Sequence, residues 1–204
     1  MTRIRAIRWP LALALFAGLL GLGGCGSSPS HDYYLLHASA PPSGATDSQL
    51  PVGIGPVSVP EYLNRSALVY SGEGNRLHVA RLERWGEPLQ DGIPRVLGLN
   101  LAAALGTQDL RPHPWLRSQE PAIAVQLWIL ELDVRAGTAV LTAEWRLHRP
   151  REDRELARRI SRLSQPLPGR RWEAGAAAAA YSSLLQSLTE EIAAAIRRAE
   201  TETG

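Results

Sequence analysis

The chain has 204 residues, with 22 basic and 20 acidic side chains, a formal net charge of +2 and a pI of 9.0. Lysine is absent, and Arg3, Arg5 and Arg8 fall in the first 24 residues beside no acid, so the remaining side chains come to −1. That balance leaves no concentrated basic patch for nucleic acid; the single cysteine excludes an internal disulfide, and the length is that of one domain able to bury most of its apolar surface.

Behind the three arginines an apolar run extends from Leu11 to Leu22, broken by Gly18 and Gly21, and ends in Leu22-Gly23-Gly24-Cys25. A basic segment, a short apolar segment and small residues at a cut site describe a secretory signal peptide over residues 1–24. The apolar run is about a dozen residues, short of the ~20 that cross a bilayer as a helix. Its end resembles the bacterial lipobox, in which the cysteine thiol is acylated, the chain is cut before it and the new amine is acylated too. The resemblance makes Cys25 a lipidated N-terminus bearing palmitate-type chains. Each buried CH₂ adds ~0.8 kcal/mol of membrane binding, so two or more chains anchor firmly where one would not. Gly26 and Ser27 follow, without the Asp that marks inner-membrane retention in enterobacteria. The expected location is therefore the periplasmic face of the outer membrane.

Residues 25–32 read as the lipidated cysteine and a polar tether, and residues 33–200 as the domain. His31–His37 reads as a first strand, with Tyr33, Tyr34, Leu35 and Leu36 in a compact run. Residues 40–49, rich in Pro, Ser, Gly and Asp, read as a loop. Val52–Val59 is a second strand whose Gly53 and Gly55 suggest close approach by a neighbouring element. Pro60–Arg65 reads as a short helix opened by proline with Glu61 beside it. Ala67–Tyr70 and Arg76–Val79 form a hairpin around Ser71–Asn75.

Residues 82–106 read as helix, approached through Trp85-Gly86-Glu87-Pro88-Leu89, because Leu89, Ile93, Val96, Leu97, Leu101, Ala104 and Leu105 recur at three- and four-residue steps. Pro94 is placed near its start. Residues 109–121, punctuated by Pro112, Pro114 and Pro121, are loop or edge strand. From Ile123 the apolar residues fall on odd positions, and from Trp128 onward on even ones. One extra residue in a bulge near Ile129 produces such a phase change, as does a strand passing from two-sided to one-sided burial. After a turn at Ala136-Gly137, the run Ala139, Leu141, Ala143, Trp145, Leu147 alternates against polar neighbours as a half-exposed antiparallel strand. Residues 149–153 are a charged turn. Residues 155–164 fit a helix or an edge strand; the strand is preferred because it completes a meander. Residues 173–200 form a last, amphipathic helix with Tyr181, Leu184, Leu188, Ile192, Ala195 and Ile196 as its apolar stripe. The alanines at 176–180 favour helix and close packing on a sheet. The order implies an α/β fold: a single domain with one mixed β-sheet packed by helices, an antiparallel meander and a C-terminal amphipathic helix.

Chemistry-bearing patterns are missing. His31, His37, His78, His113 and His148 are scattered, and none has a metal-ligand partner at a spacing such as HExxH. Gly53-Ile54-Gly55 and Gly72-Glu73-Gly74 lack the third glycine or the Lys-Ser/Thr of a phosphate loop. Ser182, Ser183 and Ser187 sit on the last helix, not in a nucleophile elbow. The expectation is a non-enzyme with no metal and no cofactor.

One block carries a resemblance over nearly the whole chain after Cys25. Gly53-Ile54-Gly55-Pro56-Val57, Pro60-Glu61-Tyr62-Leu63-Asn64-Arg65, Leu68-Val69, Trp85-Gly86-Glu87-Pro88-Leu89 and Val96-Leu97-Gly98-Leu99-Asn100-Leu101 resemble the PqiC/YmbA family of ABC-type transport auxiliary lipoproteins. Where that family commonly has Ala after the Trp, this chain has Gly86. The resemblance implies an α/β domain and a non-catalytic outer-membrane lipoprotein that maintains envelope integrity. It implies an MCE-domain partner forming a lipid conduit across the periplasm, whose distal end the lipoprotein docks, and a ring of copies as one way to match the partner's symmetry. Two other functions are compatible with the residues: a lipid-binding carrier with its own pocket, and an envelope-stabilising lipoprotein. A docking module needs exposed aromatic and arginine anchors, and Tyr62, Arg65, Trp85, Glu87, Pro88 and Leu89 are the candidates. For Trp85 and Leu89 the competing role is core, and for Pro88 a plain helix start.

Overall fold

The meander expected after Ile123 is the largest feature of the computed structural model, which describes residues 30–39, 50–72, 74–169 and 172–202. The strands are β1 (Asp32–Tyr34), β2 (Val52–Ser58), β3 (Ala67–Ser71), β4 (Leu77–Trp85), β5 (Leu110–Pro112), β6 (Ile123–Arg135), β7 (Thr138–Arg149) and β8 (Arg154–Pro166). The helices are α1 (Leu89–Leu105) and α2 (Ala174–Thr201). The segment containing the signal peptide and Cys25, and the loop expected at 40–49, lie outside the described residues.

The fold is the expected α/β class, but its strands divide over two sheets rather than one. The larger has the order β5-β2-β6-β7-β8, parallel from β5 through β6 and antiparallel from β6 through β8. The smaller has the order β1-β4-β3, with β1 parallel and β3 antiparallel to β4. The β6–β7 turn places Ala136 at φ 47° and Gly137 at φ 76°, the two positive values a tight hairpin turn requires. The phase change in β6 is a bulge: its register with β7 shifts between Ile129 and Glu131, leaving Leu130 exposed. Residues 154–166 are strand, as the meander required.

One face of β6 and β7 is apolar because Ile123, Val125, Leu127 and Ile129 meet Ala143, Trp145 and Leu147. Helix α2 packs there through Tyr181, Leu184, Leu188, Ile192 and Ile196, all buried. Its buried Ala174, Ala177, Ala178 and Ala180 allow close approach, since an alanine adds one carbon beyond the backbone. Helix α1 lies between α2 and β2 and ends at Gly106, whose φ of 66° is the left-handed geometry of a helix C-cap. Buried Asp133 ties the two sheets together. Its Oδ1 accepts from the N–H groups of Ser71 on β3 and Val134 on β6, both at 2.8 Å, and its Oδ2 accepts from Arg135 Nε at 2.7 Å. A buried carboxylate needs such a set of donors to offset lost hydration.

Two expectations are corrected. The helix expected from Leu82 begins only at Leu89, because Leu82–Trp85 continues β4 and Glu83–Trp85 pairs with β1. Pro94 accordingly lies in the second turn, and Gly86 and Glu87 form the bend between strand and helix. The first strand is also shorter than expected, three residues instead of seven, because only Asp32–Tyr34 has a partner strand.

Candidate docking rim

The strand-to-helix bend at residues 85–88 meets the turn at residues 64–66. Trp85 N–H donates to Ser66 O at 2.6 Å, and Gly86 N–H to Tyr34 O at 2.7 Å. Together Asn64, Arg65, Ser66, Trp85, Gly86, Glu87 and Pro88 line a cavity of about 250 Å³. The structure thus brings the two candidate segments to one corner.

It does not bring all six candidate side chains to the surface there. Trp85 is 6% exposed and Leu89 2%; both are core, and the Trp85 ring lies 6.3 Å from that of Tyr181. Arg65 and Pro88 are exposed and Glu87 is half-buried. Glu87 is held by Arg95, whose guanidinium also donates to Leu36 O at 3.0 Å. Gly92 leaves room for that carboxylate, since a Cβ there would meet Glu87 Oε1 at 2.9 Å. Among the described residues Arg65 has no hydrogen-bond or ion-pair partner for its side chain. Tyr62 turns to an adjoining flank, where it lines a second cavity of about 540 Å³ with Asp133 and Arg135. Burial raises its phenol pKa above the ordinary value, while a hydrogen bond to the Leu132 backbone acts the other way.

A further concavity was not legible as a site. A groove of about 570 Å³ runs between β2 and α1, with Ile54, Val57, Pro94, Leu99 and Leu110 in its wall and Gln90 and His113 at its rim. Its outer wall is the β5 segment, and the close approach that Gly53 suggested is that of Pro121 and Trp115. The only sequence signals were Gly53-Ile54-Gly55-Pro56 and Pro112-His113-Pro114, both of which contain a cis X-Pro bond.

The histidines do not converge. His31, His37 and His113 are exposed, His78 stacks on Tyr70, and His148 is buried on β7. Among the described residues no group of three or more His, Cys, Asp or Glu is placed to hold a metal ion, and no helix is long and apolar enough to cross a membrane.

The sequence pattern of ABC-type transport auxiliary lipoprotein components matches residues 34–193, a stretch that runs from β1 into α2 and contains the whole rim. The chain belongs to this family. As an ABC-type transport auxiliary lipoprotein it is a membrane-anchored component that works with the partners of a transport system, and its family is non-catalytic in general. Solved structures agree on the fold. Protein XCC0632 from Xanthomonas campestris, of the DUF330 family, is 13% identical with a TM-score of 0.64, the match covering 83% of this chain and 99% of that one. An uncharacterized protein is 20% identical with a TM-score of 0.58, covering 83% and 98%. No curated protein matches the sequence. In the auxiliary lipoprotein described here, the rim therefore offers one exposed, uncommitted arginine on a corner buttressed by a buried tryptophan.

Proposed function

We propose that this auxiliary lipoprotein is anchored by Cys25 in the outer membrane, faces the periplasm, and docks the distal end of an MCE-protein lipid conduit there without catalysing a reaction. The observation that carries this reading is the family match over residues 34–193. The lipobox-like Leu22-Gly23-Gly24-Cys25, with Gly26 in place of a retention signal, supports the location. The docking surface is the corner where Arg65, Glu87 and Pro88 emerge above Trp85 and Leu89. Loop ends held by a rigid scaffold are where binding residues usually sit, and arginine is favoured at interface centres. Trp85 and Leu89 contribute by holding the bend in place. Tyr62 belongs to the adjoining flank and enters the contact only if the partner spans both cavities. A ring of copies would repeat this corner around a symmetric conduit; the outer edge of β8, free of a strand partner among the described residues, could pair with a second copy.

The test is co-purification with the cognate MCE protein, followed by binding of the Arg65→Glu variant. Binding should weaken at least about tenfold, roughly 1.4 kcal/mol, with unfolding unchanged. Well-folded Arg65→Glu and Glu87→Gln variants that bind normally would remove this corner from the interface. The groove of about 570 Å³ favours a second reading, a carrier that holds lipid itself. Lipid retained in stoichiometric amount by the purified protein, without the MCE partner, would select it.

A further inference from the structure

We infer that the outer side of β1 and of the residue that follows it, carrying Tyr33 and Leu35, lies in the headgroup region of the bilayer that holds the chain's own acyl anchor. Tyr33 is 69% exposed and Leu35 42%, whereas their alternates face inward, Tyr34 half-buried and Leu36 at 2%. Successive side chains of an extended segment point to opposite sides, so Tyr33 and Leu35 share a face that the core does not use. That face is rigid. Leu35 lies across Gly86, where an added Cβ would come within 3.1 Å of its Cδ2. Tyr33 stands opposite Arg84 in the parallel register. The Arg84 guanidinium is held by the carbonyls of Ala80 and Arg81, at 3.2 and 3.3 Å.

An aromatic ring with a polar tip, an aliphatic chain and an arginine are the side chains suited to a boundary between water and lipid. The acids nearby, Asp32 and Glu83, occupy the alternate positions and share the side of Tyr34, whose phenol pKa they help to raise after burial itself. The outward face thus presents an aromatic ring, an aliphatic chain and one arginine, flanked by the exposed His31 and His37 and by no acid at the alternating positions 31–37, matching the interfacial zone rather than a strongly charged partner.

The length of the tether chooses the occupant. This step rests on the reading of Cys25 as the lipidated residue. Eight residue steps separate Cys25 from Tyr33, which at ~3.3–3.6 Å each span less than about 30 Å even when fully extended. The acyl chains therefore keep β1 near the bilayer surface in every orientation of the domain. The orientation that buries Tyr33 and Leu35 in the headgroups removes from water the large exposed hydrophobic side chains of this stretch. Gly86 lies beneath Leu35 and also lines the Arg65 cavity, so the docking corner would stand immediately beside the membrane.

The experiment uses the full lipidated protein in vesicles of phosphatidylethanolamine and phosphatidylglycerol. With the Cys25 sulfur alkylated, an introduced cysteine is the only free thiol in a chain that has one cysteine. Spin labels go on Tyr33→Cys, on Leu35→Cys, and on His31→Cys, which keeps both apolar side chains. Ser164→Cys, exposed on β8, is the control. Collision rates with oxygen, which partitions into lipid, and with a water-soluble nickel chelate are compared. The expected result is an oxygen-to-nickel ratio several-fold higher at 31, 33 and 35 than at 164. Equal ratios in protein that floats with the vesicles would overturn the inference and leave the anchor standing. Protection at these positions that appears only after the MCE protein is added would also overturn it, in favour of a protein contact. Protein that fails to float would overturn the anchor, and the inference with it.

Discussion

Trp85→Ala separates the structural and docking roles of the rim most sharply. The ring is 6% exposed and packs beside Tyr181, while its backbone N–H bonds Ser66. Truncation to alanine removes on the order of 150–200 Å² of buried apolar surface. At ~25 cal/mol/Å² that is about 4 kcal/mol, inside the ~3–5 kcal/mol found for aromatic-to-alanine changes in cores. For a domain of this size each kcal/mol lowers Tm by roughly 2–4 °C, so the expected shift is about 8–16 °C. Arg65 lines the same cavity but is exposed, and Arg65→Ala should change stability by no more than about 0.5 kcal/mol. Thermal unfolding by circular dichroism, run on both variants beside partner binding, reads both effects. The expected pattern is a large loss of Tm with Trp85→Ala, and a loss of binding at constant Tm with Arg65→Ala. A Trp85→Ala protein melting within about 2 °C of the native one would refute the assignment of this side chain to the core.

Gly53→Ala should destabilise by ~1–3 kcal/mol through overpacking, because the new Cβ would sit 2.4 Å from Pro121 Cγ and 2.6 Å from Trp115 Cζ2; urea denaturation measures it. Cys25→Ser should leave an unprocessed precursor or a protein outside the outer-membrane fraction, and normal fractionation would refute the lipidation. Burial, helped by Arg146, holds the His148 imidazole below its ordinary pKa. The unfolded chain then binds the proton first, so stability should fall as the pH drops through about 6.5. His148→Gln should flatten that part of a Tm-against-pH curve, and an unchanged slope would assign it to other groups.

Elements governed by local alternation or helical period were legible in the sequence. The β6 bulge could be read because a phase change in a period-two pattern has few structural causes; residues 174–201 obey their period, and residues 141–147 alternate, although Val140 and His148 are buried off the expected phase. Residues 82–85 were misread because the helical period of the following segment extends backwards over Leu82. What makes them strand is a parallel partner about fifty residues away in sequence, Asp32–Tyr34. The groove between β2 and α1 was illegible for a similar reason: its walls come from separated segments, none with a distinctive pattern.

For the candidate residues, the sequence marked the two segments and the tertiary structure sorted their members. Pro60 marked a short helix start at 60–65 and Gly86 and Pro88 a helix entry at 85–89, and such chain reversals are local events set by backbone dihedrals. Which side chain of a bend faces water is not local. Trp85 and Leu89 are core because α2 brings Tyr181 and its neighbours against them, while Arg65 is left outside and Tyr62 is turned toward Asp133. The lipobox-like motif and the short tether behind it are properties of the sequence alone, since a processing signal is read along an extended chain. The direction in which the tethered domain presents Tyr33 and Leu35 is decided by β1 docking beside β4, which fixes one face inward and leaves the other free.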